Sequence, residues 1–281
     1  MTDYVLFAVL FAALLHALWN ALISHSRDKS LYTLALHLCS AAVAIPVLMV
    51  IGLPSSLSLP YLATSIALHG VYIYLLSKVY ASGPFASSYI LMRGTAPVFV
   101  TLMTVWHLDA GIETPVLLGL GILATGMYLV LYAHDSQPIR HLKSRQVQFA
   151  LANAFVIAAY TVVDGLGARV SGNAVAYVFA SALFEPFLVY YFGFRSQTAA
   201  LKTFITQHAV LIFTGSVVSL SGYSIVLWAM TQAPIAAVSS LRETSVVFAA
   251  IISVLWFKEG KLLPVVISSF IVFFGIYLLK A

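Results

Sequence analysis

Charge is what this chain has least of. Only 8% of its 281 residues are Asp, Glu, Lys or Arg, against roughly 25% in ordinary soluble domains. A soluble fold could not cover a chain that is 62% hydrophobic with so few charges, whereas helices bathed in lipid need no such cover. The mean hydropathy of +1.00 agrees, and the chain reads as an all-α integral membrane protein. Cysteine is nearly absent as well. Cys39 stands alone inside an apolar stretch, which excludes an intrachain disulfide and a cysteine-based metal site. No G-x-x-x-x-G-K-[ST] is present, so this chain holds no ATP-driven pump, and neither H-E-x-x-H nor G-x-S-x-G occurs. No cofactor or metal is expected. Although the net charge is +5, the basic residues are scattered rather than gathered into a stripe, so no nucleic-acid partner is expected.

What fills the chain is a succession of apolar runs of the length needed to cross a bilayer, about 20 residues each. Ten are predicted: 4–23, 31–52, 61–81, 85–106, 114–133, 147–169, 173–194, 208–231, 235–257 and 262–279. With Asp3 ahead of it, no basic lead-in and no cleavage-like site before further spans, the first run is expected to be retained rather than removed as a signal peptide. Connections are short and polar. The longest, "AHDSQPIRHLKSRQ", falls at the midpoint and predicts a linker over 134–146 between five-helix halves at 1–133 and 147–281.

Two halves of equal size invite a search for a repeat. At an offset of 150, "PFASSYILMRGTAPVFVTLMTVWHLD" lies over "PIAAVSSLRETSVVFAAIISVLWFKE", pairing Pro84 with Pro234, Ala86 with Ala236, Leu91 with Leu241 and Trp106 with Trp256. Asp109 falls on Glu259, and "GMYL" at 126–129 matches "GIYL" at 275–278. Because five is odd, the second copy would enter the membrane from the opposite side. Such inverted repeats place a transporter's substrate site near the midplane between them. Orientation follows from the Lys and Arg outside the spans. Arg27, Lys29, Arg140, Lys143, Arg145, Arg195, Lys202, Lys258 and Lys261 follow odd-numbered helices, while Arg169 and Lys280 lie on the other side. That bias predicts a cytoplasmic linker and both termini outside.

The chain resembles the drug/metabolite transporter superfamily, in its EamA-type branch of ten-helix carriers. The resemblance rests on the repeated proline opening helices 4 and 9, the "VWHLD" and "LWFKE" ends, "GMYL" and "GIYL", and "HALWN" in the first helix. It implies a permease or exporter of the plasma membrane, bacterial inner membrane by expectation, moving a small and often amino acid-like metabolite by alternating access without ATP. Many members have cytoplasmic termini, the reverse of the charge count here.

Six formal charges fall within spans: Lys78, Arg93 and Arg242 against Asp164, Glu185 and Glu243. A lone charge in hydrocarbon costs at least ~2.5–3.5 kcal/mol, so these should pair or line a wet cavity. Lys78, near a span end, has snorkelling as its bland alternative. Helical spacing puts Asn153, Ile157, Tyr160 and Asp164 on one face, and His16, Trp19 and Asn20 on another. An offset of 144 sets His16 over Tyr160 and Asn20 over Asp164, so the two stripes are expected to face one cavity. The bland alternative is helix–helix glue. In helix 4, Tyr89, Arg93 and Pro97 share a face, and the repeat sets Arg93 over Glu243, which adjoins Arg242. Opposed charges of this kind suit a zwitterion, or equally a locked gate.

Tyr177, Ser181 and Glu185 line one face of helix 7, followed by Pro186. Asp164 and Glu185 are the candidates for a coupling proton. Tyr72, Tyr223 and Trp228 join Trp19, Tyr89 and Tyr160 as aromatic candidates for pocket walls. His37 and His69 read more simply as residues hydrogen-bonded to neighbouring carbonyls. The expected partners are thus a small-molecule substrate and membrane lipid, and nothing calls for more than a monomer. Two other classes are compatible with the same spans. One is an intramembrane enzyme using His16, His37 or His69 with Asp164 or Glu185 on a lipid-linked substrate, and the other is a lipid-headgroup flippase.

Overall fold

The computed structural model describes residues 1–26, 28–81, 92–93, 95–103, 114–134, 145–190 and 198–257, with single residues and short runs between 263 and 278. Among the described residues every regular element is helical. The helices are α1 (Asp3–His25), α2 (Lys29–Ile51), α3 (Leu59–Ala81), α4 (95–103), α5 (Thr114–His134), α6 (Arg145–Val170), α7 (Ala174–Val189), α8 (Thr198–Gln232), α9 (Ile235–Arg242) and α10 (Ser245–Ile252). Among the described residues six stretches are long and apolar enough to cross a membrane. Phe7, Met49, Val50 and Val210 lie on the outer surface with more than two thirds of their area uncovered, as lipid-facing side chains do.

Local chemistry sets the ends. Asp28 caps α2 by accepting from the Leu31 N–H, and Asn173 caps α7 by accepting from Val175 and Ala176. The turn between α6 and α7 needs a left-handed residue, supplied by Gly172 at φ 72. Pro234 stands at the N-cap of α9, where its missing N–H is harmless. Its counterpart Pro84, like the "VWHLD" segment and most of the linker, lies outside the described residues.

Two spans differ from their expected form. The eighth, predicted to begin at 208, continues a helix that starts at Thr198 and kinks at His208, where φ is -122 and ψ 22. Its polar lead-in, with Lys202 exposed, helps explain why hydropathy missed it. The ninth is broken: α9 stops at Arg242, and the chain turns through Glu243 and Thr244 before α10. There the backbone switches to i→i−3 bonding, from Glu243 to the Ser240 carbonyl and from Thr244 to Leu241. Thr244 Oγ1 also donates to the Leu241 carbonyl at 2.8 Å. No glycine or proline marks the break.

Packing gives the bundle two distinct ends. At one, the Ser55 N–H donates to the Ser171 carbonyl, Tyr4 leans on Trp228, and Arg169 donates to the carbonyls of Met230 and Ala233 at 2.9 Å each. At the other, where α1 ends and α2 begins, Tyr32 donates to the Leu211 carbonyl. We term these the turn end and the linker end. The apolar core concentrates at the turn end, around Val9, Ala168, Tyr177, Met230 and Val238. The main helix pairings are α3 on α6, α1 on α8, and α2 on both α7 and α8. The glycine-rich face of α5 meets the last helical segment closely: a Cβ on Gly275 would stand 2.7 Å from the Leu123 nitrogen.

Candidate functional site

The predicted α6 stripe faces inward throughout, with Asn153, Ile157, Tyr160 and Asp164 all buried. Tyr160 reaches a cavity of about 130 Å³, which holds on the order of ten waters at ~10–15 Å³ apiece. The wall draws on α1, α2, α3, α6, α7 and α8 as well as on Arg93 and Arg242. Lining residues Ile23 and Thr33 carry it toward the linker end, while the core closes the turn end.

Two arginines and one carboxylate form its charged floor. Arg93 Nη1 and Arg242 Nη2 each lie 3.5 Å from the same oxygen, Oε1 of Glu243. Arg93 is 4% exposed, Arg242 3% and Glu243 0%, so desolvation makes the shared partner necessary. Both arginines line the cavity, whereas Glu243 lies behind them. Around the break at 243–244, Arg242 Nε, Glu243 Oε2, Ser239 Oγ and Ser245 Oγ are buried without a hydrogen-bond partner among the described residues. A broken helix at membrane depth is tolerated where it is buried in protein or lines a water-filled cavity, and this one is buried beside Arg242, which lines the cavity.

His16 ties the first helix to that floor. Its Nε2 meets Arg93 Nη2, its Nδ1 faces Trp19 Nε1 at 3.1 Å, and its carbonyl accepts from Asn20 Nδ2 at 2.7 Å. A neutral imidazole has one acceptor nitrogen, so Arg93 and Trp19 contest a single lone pair. Asn20, although it lines the cavity, spends that hydrogen bond on its own helix.

An aromatic group forms the adjoining wall. The His69 ring stacks on Tyr160 with centroids 4.2 Å apart, and Tyr72 and Tyr223 stand edge-on to it at 6.4 Å. His69 Nδ1 is within 3.2 Å of Ser65 Oγ and 3.0 Å of the Ser65 carbonyl. Sequence reasoning had assigned His69 to a local bond, which it makes. The missed signal was Ser65, His69 and Tyr72 recurring at four and three residues, another polar stripe.

Asp164 is deeper than the cavity. Its Oδ1 accepts from Tyr177 Oη at 3.0 Å and its Oδ2 from Tyr223 Oη. Only Tyr223 of this trio lines the open space, so Asp164 acts on the wall through a tyrosine. Also on the cavity wall, His37 Nδ1 lies 3.4 Å from Glu185 Oε1. Trp228 stands away from the cavity, tilted against Tyr4 at 6.2 Å. Lys78 is exposed and lies over the Tyr74 ring at 5.4 Å. Tyr89 lies outside the described residues. Among the described residues no group of three His, Cys, Asp or Glu side chains could hold a metal ion.

These features define a helical integral membrane protein with a polar, doubly cationic cavity inside its bundle. Residues 145–281 match the EamA-like transporter family, a match that supports membership of the drug/metabolite transporter superfamily. One of 27 matching solved chains, described as "Crystal structure of protein", superposes over 100% of this chain and 98% of its own. Its TM-score is 0.74 at 14% identity, a likeness of fold. No curated protein matches the chain by sequence.

Proposed function

We propose that the chain is a secondary transporter that carries a small polar or zwitterionic metabolite, such as an amino acid-like compound, across the bacterial inner membrane by alternating access. The observation that carries this reading is the enclosed floor, where Arg93 from the first half and Arg242 from the second share Glu243. Paired guanidinium groups in a low-dielectric chamber suit a carboxylate.

The reading takes 1–133 and 147–281 as inverted five-helix repeats about a cytoplasmic linker at 134–146, with ten spans in all. Packing supports it. Exchanging each helix with its counterpart five spans on turns α1 on α8 into α6 on α3, turns α2 on α8 into α7 on α3, and returns α2 on α7 to itself. Arg93 and Glu243, 150 residues apart, touch, as equivalent positions near a two-fold axis do. A cavity open toward the linker end and sealed at the turn end corresponds to one of the two states that alternating access requires. If transport is proton-coupled, Glu185 is the carboxyl group on the cavity wall, and Asp164 the one behind it.

The test is transport in sealed vesicles, using a metabolite first chosen by its thermal stabilisation of the purified protein. Arg93→Ala, Asp164→Asn and Glu243→Gln should each impair uptake while the protein still elutes as a folded species. Normal transport by all three would overturn the site assignment. Turnover of a lipid-linked substrate in detergent, without compartments, would favour an enzyme instead.

A further inference from the structure

We infer that Glu185, supported by His37, Ser181 and Ser40, is the ammonium-binding pole of the cavity, so that a zwitterion binds in one direction with its carboxylate on Arg93 and Arg242. This rests on the proposed zwitterion carrier and adds a second, separately testable contact to it.

Glu185 is the acidic side chain on the described cavity wall. It is 8% exposed, yet its Oε1 accepts no hydrogen bond among the described residues. His37 Nδ1 stands 3.4 Å away but makes no hydrogen bond to it. A buried carboxylate oxygen left without a donor is costly, since hydrogen bonds to charged groups are worth about 1.5–3 kcal/mol. An ammonium carries three donors and no acceptor. The wall here answers with oxygens: the Glu185 carboxylate, Ser181 one turn earlier on α7, and Ser40 on α2, whose own hydroxyl donates to the Leu36 carbonyl at 3.0 Å.

The floor cannot do this work. Glu243 lies behind the arginines, and its Oε1 already faces two cations, so an ammonium would have to displace guanidinium from it. Positive and negative charge are therefore carried by different elements, with the cations at Arg93 and Arg242 and the available anion on α7. Pro186 follows Glu185 inside α7. A proline there frees a backbone carbonyl one turn back, at Ala182, which also lines the cavity and adds a further acceptor.

The experiment measures thermal stabilisation of the full-length protein in detergent by the twenty common amino acids, by their N-acetyl forms, which lack the ammonium, and by their amides, which lack the carboxylate. The expected result is that at least one free amino acid stabilises the wild type with an affinity at least about tenfold above its N-acetyl form. Glu185→Gln should cut the free amino acid's affinity by roughly tenfold to a hundredfold, the size of one lost charge-assisted hydrogen bond, and leave the N-acetyl form unchanged. Glu185→Asp should retain part of the preference. Equal affinity of the two forms for the wild type overturns the inference without any variant, as does an unchanged response in Glu185→Gln. In either case the carrier reading survives, because a carboxylate still binds. If no free amino acid and no N-acetyl form stabilises the wild type, the zwitterion reading fails and this inference with it.

Discussion

Arg93 and Glu243 are 150 residues apart in sequence and 3.5 Å apart in space, and Arg242 reaches the same carboxylate oxygen from the neighbouring position. The shared oxygen makes the two members of the pair unequal. Removing Arg93 leaves Arg242 with Glu243, a neutral pair. Removing the charge of Glu243 leaves two buried cations facing each other, and breaking a buried pair by deleting one partner costs about 3–5 kcal/mol. Glu243→Gln should therefore lower the melting temperature of the purified protein more than Arg93→Met does. Equal shifts would mean that the carboxylate is not shared.

The tyrosine contacts to Asp164 predict a second ordering. Tyr177→Phe and Tyr223→Phe each remove one donor from a fully buried carboxylate, at about 1.5–3 kcal/mol apiece. Because both hydroxyls serve one group, the double variant should depart from the sum of the singles by more than the ~0.3–0.5 kcal/mol seen for independent sites. Denaturation of the four proteins in detergent gives the cycle. Strict additivity would separate the two hydroxyls from a common partner.

These residues also show what could be read before the structure and what could not. Period places a side chain on a face, and for α6 that sufficed: Asn153, Ile157, Tyr160 and Asp164 do turn inward together. Period carries no depth. It could not tell that Asp164 stops behind Tyr223 while Tyr160 reaches open space, nor that Trp228 turns toward Tyr4 at the sealed end. Hydropathy located the span at 235–257 but not its break, because Glu243 and Thr244 are neither glycine nor proline. The turn is held by side-chain and i−3 bonds that only folding assembles. His69 was legible as a residue with a local partner and illegible as a stacking surface, since its neighbours Tyr160 and Tyr223 come from distant helices.

Close packing at Gly167 links the core to the same carboxylate. A Cβ there would stand 2.7 Å from the Tyr177 ring and hydroxyl, so Gly167→Ala must push the ring that donates to Asp164. Overpacking of this kind costs about 1–3 kcal/mol. Shrinking the obstacle should relieve it: Gly167→Ala combined with Tyr177→Leu is expected to be less destabilised than the two single effects summed. A sum that is simply additive would show that the ring has room to move.

The sealed end yields a prediction about access. Arg169 donates from α6 to the carbonyls of Met230, in the last turn of α8, and of Ala233, just past its end, where a cation also complements the helix dipole. One side chain thus closes α6 onto the α8–α9 turn, beside the Ser55 to Ser171 bond that joins the neighbouring loops. Alternating access would require these contacts to part, since the cavity ends beneath them. Arg169→Ala removes both bonds without touching a cavity-lining residue, so it should leave substrate-induced stabilisation intact while favouring the state open at the turn end. In a background with Cys39→Ser, a cysteine placed at Ala233, which is 7% exposed, reports that opening through its reaction rate with a membrane-impermeant maleimide. The rate should rise severalfold when Arg169→Ala is added, and an unchanged rate would mean that the seal is held by the apolar core alone.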